Sequence, residues 1–108
     1  MKSIYPDIAT LLLELEAELR VLSLWDAEPP SPAALASTEP FCVDTLTLPQ
    51  WLQFVFLPRM SQMVELEIPL PHACGIAPMA EEFFRGSELP VAALTRKLEE
   101  IDTRLARG

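Results

Sequence analysis

The chain is poor in the residues that most site chemistry needs. Its 108 residues include three glycines, Gly75, Gly86 and Gly108, and none belongs to a loop that cradles phosphate. Its one histidine, His72, stands between Pro71 and Cys74 with no orienting group in the pattern, which argues against a general base. Two cysteines, Cys42 and Cys74, could pair only by chance of the fold, and a reducing cytosol argues against it. With His72 they make three ligands without the C-x2-C spacing of structural zinc, so they read as two small buried thiols and a loop histidine. No metal and no cofactor is expected. No apolar run nears the roughly 18 residues of a membrane span, so no membrane contact is expected either.

Basic residues are also scarce. Eight Lys and Arg stand against 16 Asp and Glu, for a formal net charge of −8. The only dense basic stretch is Arg96, Lys97, Arg104 and Arg107, interleaved with Glu99, Glu100 and Asp102. Direct nucleic-acid binding, which needs clustered cations, is therefore disfavoured. An acidic body suits solubility or a basic protein partner. Glutamates interrupt the leucines of the N-terminal stretch, which reads as an ordinary helix and not as an export signal, so the expected compartment is the cytoplasm.

What is present is apolar residues, half of the chain, and 11 prolines. Residues 1–108 support one domain with one core. Ile8, Leu12, Leu15, Leu19 and Leu22 recur at steps of four and three and predict a helix from about Pro6 to Trp25, with Ser3 or Tyr5 before its first turn. Asp26 to Leu46 has no period and holds Pro29, Pro30, Pro32 and Pro40. Its apolar residues predict a loop packed on the domain, with one helical turn near Ala33–Ala36. Thr47-Leu48-Pro49-Gln50 matches a capping box and opens a second helix that bends at Pro58 and runs on to about Glu65. A short helix follows from Pro78 to about Arg85, with Gly86 at its cap. A last helix spans about Pro90 to Ala106 on the stripe Val91, Leu94, Leu98, Ile101, Leu105. Phe41–Leu46 is the sole short strand candidate. The expected fold is all-α: a bundle of about four helices, a long Pro-rich loop packed across it, and the Pro-kinked helix central.

The stretch from Ser37 to Met60 is distinctive. Trp25, Glu28-Pro29, Ser37-Thr38-x-Pro40-Phe41-x-x-Asp44-Thr45, Trp51-Leu52-Gln53-Phe54, Pro58-Arg59-Met60, Pro69-Leu70-Pro71 and Ala77-Pro78 together resemble the YqcC-like family. These are small bacterial proteins of unknown function encoded beside, or fused to, tRNA pseudouridine synthase C. Phe54 stands where the family often has a second tryptophan, and His72–Gly75 has no counterpart in the pattern. The resemblance implies an all-helical bundle and brings no established reaction.

Five residues are candidates for ligand or partner contact: Phe41, Asp44, Trp51, Gln53 and Arg59. Asp44 is read first as a support for the bend into Thr47, and Trp51 as core. Arg59 is read first as an ion pair with Asp44, Glu28 or Glu39, ahead of an anion-binding role. Gln53 is either a satisfied buried amide or a polar contact in a groove. No catalytic residue is assigned. The leading expectation is a non-catalytic interaction module, with tRNA pseudouridine synthase C as the protein partner. The second is a small-ligand or peptide groove between the Pro-rich loop and the kinked helix. The third is tRNA binding through the last helix. Either apolar stripe could also serve a homodimer seam.

Overall fold

A computed structural model describes residues 4–71 and 75–107; Ser3, His72 and Cys74 lie outside the described residues. Helix α1 spans Tyr5–Val21 and buries Ile8, Leu12, Leu15 and Leu19, the expected stripe. It stops short of the expected Trp25. Ser23 turns left-handed at φ 60. The Leu24 N–H then reaches the Leu19 carbonyl at 2.9 Å, and the Ser23 N–H reaches that of Arg20 at 3.1 Å. This is a Schellman closure with serine in the place where glycine usually signals the stop. Leu22, Leu24 and Trp25 stay on the core as loop residues.

The Pro-rich connection is packed and partly helical. Ser31 caps the single turn α2, Pro32–Leu35, accepting from the Ala34 N–H. A 3-10 turn follows at Pro40–Cys42. Phe41–Leu46 is not a strand, because left-handed backbone at Phe41 and Cys42 (φ 57 and 49) cannot extend. The Thr45 hydroxyl donates to the Ala34 carbonyl at 2.7 Å and closes the loop on itself.

The second long helix forms in three consecutive pieces: α3 (Leu48–Trp51), a π segment (Leu52–Phe56) and α4 (Leu57–Leu66). Thr47 and Gln50 make both bonds of the capping box. Within the π segment the Leu57 N–H reaches back to the Leu52 carbonyl. A wider turn at this point accommodates Pro58, which lacks an N–H and would crowd the preceding α turn. The helix thus passes its proline and closes at Glu67 (φ 52), where the Ile68 N–H meets the Met63 carbonyl at 3.1 Å.

Helix α5 spans Ile76–Phe83 and starts before the expected Pro78. Its cap comes from elsewhere in the chain: the Asp102 carboxylate accepts from the Ile76 and Ala77 N–H groups at 3.1 and 2.8 Å. Gly86 is left-handed at φ 79 after the helix, as its position suggested. Helix α6, Ala92–Arg107, buries Leu94, Leu98, Ile101 and Leu105.

Helix α1 packs along both α4 and α6, and α5 packs on α6. Asp7 pairs with Arg104 (3.1 Å) and Glu14 with Lys97 (3.3 Å), which sets α1 and α6 antiparallel. The Tyr5 hydroxyl donates to the Ile68 carbonyl at 2.8 Å, joining the start of α1 to the end of α4. Exposed pairs of this kind contribute about 0.2–1 kcal/mol each, against roughly 1.5–3 kcal/mol for a fully buried leucine or isoleucine. Packing stabilises the bundle, and the ion pairs fix its register. No strand occurs among the described residues, and no helix among them is long and apolar enough to cross a membrane.

Candidate functional site

Both irregular stretches of backbone meet at one place. Left-handed geometry costs an L residue about 1–2 kcal/mol, and Phe41 and Cys42 adopt it in succession. The turn is held by Cys42 N–H to Glu39 (3.0 Å), Val43 N–H to Pro40 (3.1 Å) and Leu46 N–H to Cys42 (2.8 Å), and by burial of Cys42. Its effect is to aim the Phe41 ring at Trp51, edge to face, with centroids 4.8 Å apart. On the helix side, Trp51 stacks on Phe56 at 5.4 Å. Five steps of about 100° would set these two rings about 140° apart on an α-helix. The π turn between them brings both onto one face.

Between loop and helix lies a pocket of about 270 Å³. Phe56 and Met60, both buried, make its floor. Half-buried Phe41, Trp51 and Pro71 wall it, and exposed Pro40 and Arg59 stand at its rim. Arg59 makes no ion pair or hydrogen bond among the described residues. The expected pairing with Asp44, Glu28 or Glu39 is thus absent: the side chain stays in water, where no partner is needed to offset burial. The indole N–H of Trp51 also has no acceptor among the described residues and is not sealed from solvent.

The structure therefore brings together three of the five candidates. Gln53 is elsewhere, 6% exposed, and clasps the backbone of Asp26 from both ends: it accepts from the Asp26 N–H and donates to the Asp26 carbonyl, each at 2.8 Å. It is the satisfied amide and not a groove contact. Asp44 also lies off the pocket, exposed, accepting from the Ser37 hydroxyl, whose oxygen in turn accepts from the Glu39 N–H at 3.1 Å. Its work is within the loop. Pro40, Phe56, Met60 and Pro71 were not among the candidates. Phe56 sits five residues after Trp51, a spacing that an α-helical reading puts on another face; Pro58 just beyond was the available hint of irregular winding. Among the described residues no three His, Cys, Asp or Glu side chains cluster as a metal-binding group.

Residues 7–104 match the family model DUF446, described as tRNA pseudouridine synthase C. The chain is 36% identical to the uncharacterized protein YqcC of Escherichia coli over 95 residues, 88% of this chain and 87% of that protein. An uncharacterized protein of Haemophilus influenzae is 41% identical over 71 residues, 66% of this chain and 67% of that one. A tRNA pseudouridine synthase C of Pectobacterium carotovorum is 44% identical over 62 residues, 57% of this chain but 16% of the synthase. The solution NMR structure of E. coli YqcC superposes with a TM-score of 0.82 at 34% identity, covering 97% of this chain and 90% of that one. The chain belongs to this YqcC-like family.

Proposed function

We propose that this YqcC-like chain is a non-catalytic docking module that binds tRNA pseudouridine synthase C through the Phe41–Trp51–Arg59 pocket. One observation carries the reading: a preformed aromatic pocket with an arginine at its rim that has no partner among the described residues. Both walls depend on backbone irregularities that are costly to keep, the left-handed pair Phe41–Cys42 and the π segment. Buried aromatic anchors with arginine are the composition on which protein interfaces concentrate their energy. The synthase is chosen as partner by kinship, since a stretch similar to this chain occurs within a protein of that name.

The basic tail supports the same choice over direct RNA binding. Lys97 is engaged by Glu14 and Glu100, and Arg104 by Asp7, leaving Arg96 and Arg107 to meet phosphate. Two cations are a weak electrostatic footprint. Calorimetric titration of the chain with its cognate synthase, freed of RNA, tests the reading. Binding with a Kd in the micromolar range or tighter is expected, weakened roughly tenfold or more by Trp51→Ala. No heat of binding at high micromolar concentration would overturn it.

A further inference from the structure

We infer that the segment taken up by this pocket presents one carboxylate next to one apolar side chain, the carboxylate meeting Arg59 and the apolar group filling the space above Phe56 and Met60. The inference rests on the docking reading and adds the chemistry of what docks. Size comes first. A cavity of about 270 Å³ between half-buried walls holds a side chain and not a folded element. Its floor is a phenyl ring and a thioether, the latter unbranched and polarizable, so the surface adapts to an aliphatic or aromatic insert and offers no buried polar group to one that is polar.

Charge then selects the neighbour of that insert. Arg59 is the sole Lys or Arg between Arg20 and Arg85 in this sequence, and several acids share that stretch. None of them pairs with it. Four other cations find acids (Arg20 meets Glu16, Arg85 meets Glu82, and Lys97 and Arg104 reach α1), while Arg96 and Arg107 on α6 are, like Arg59, without one among the described residues. Among the described residues the planar fork of Arg59 is open, a geometry that matches a carboxylate through two parallel bonds. Trp51, a wall of the pocket, also has an indole N–H without an acceptor among the described residues. A guanidinium at the rim of an otherwise apolar pocket favours an acceptor-only group beside the apolar insert. The rest of the molecule limits how many acids the segment carries. A net charge of −8 repels an acidic run at long range, so one carboxylate fits where several would not.

The test is titration of the full cognate synthase into the chain and four variants, Arg59→Ala, Arg59→Lys, Arg59→Glu and Trp51→Ala. Arg59 is exposed and has no partner among the described residues, so all three Arg59 variants should keep the wild-type melting temperature, and loss of binding then reports contact and not unfolding. Arg59→Ala should weaken binding about tenfold or more, and Arg59→Glu more than that. Arg59→Lys, with the charge but without the fork, should fall between wild type and alanine. If Arg59→Glu binds as wild type while Trp51→Ala fails, the carboxylate is wrong and apolar docking stands. If wild type itself does not bind, the docking reading falls and the inference falls with it.

Discussion

Single residues here take positions that their chemistry makes expensive, and each has an identifiable return. Ser23 closes α1 in a conformation that glycine reaches without strain. Ser23→Gly should therefore raise stability by up to about 1 kcal/mol, read from the denaturant midpoint, since relief of left-handed strain outweighs the added freedom of the unfolded chain. Gln53 holds Asp26 by two backbone bonds in a buried site. Gln53→Leu keeps the volume but orphans both Asp26 groups and should cost about 1–3 kcal/mol in the same measurement. At this scale the sequence was legible wherever a residue acted on its neighbours. Thr47 and Gln50 cap one another across three positions and could be read directly. Gln53 could be read only as a choice between two roles, because its partner lies 27 positions away.

At the scale of elements, the hydrophobic stripes of α1 and α6 identified the buried faces, since periodicity is a local property of the chain. Ends were harder. The stop of α1 lacked its glycine, and the start of α5 depends on Asp102, a cap supplied across 25 to 26 residues by α6. Asp102→Ala should cost about 1–2 kcal/mol and speed amide exchange first at Ile76 and Ala77, while α1 amides keep their protection. The α1–α6 seam carries a pH signature through Lys97. Its pKa is raised above the ordinary 10.5, chiefly by the hydrogen bond to Glu100 and further by Glu14, with burial opposing. A raised value means the fold binds this proton more tightly than the unfolded chain. Its stabilisation is complete below 10.5 and is lost as pH rises through the folded value. Lys97→Met should melt below wild type at neutral pH, with the gap closing in strongly alkaline buffer. The π segment was the least legible element, because no propensity rule writes it into the sequence; a proline within an apolar helix gave only its neighbourhood.

The whole molecule is a helical bundle with one costly corner. Its radius of gyration, 13.7 Å, is near the roughly 13 Å of a compact chain of this length, so the Pro-rich connection lies against the helices and does not trail. That packing puts Phe41 opposite Trp51 and leaves Arg59 open, where the sequence suggested a groove between the Pro-rich loop and the kinked helix without showing which side chains would line it. Three candidate residues met there and two went to structural bonds, a division that depends on which way each side chain faces. The most direct test follows amide and indole N–H signals of the isotope-labelled chain by NMR as unlabelled cognate synthase is added. The docking account expects shifts or broadening centred on Phe41, Arg59 and the Trp51 indole, with Arg96 and Arg107 unmoved. Changes confined to α6, or none at all, would contradict it.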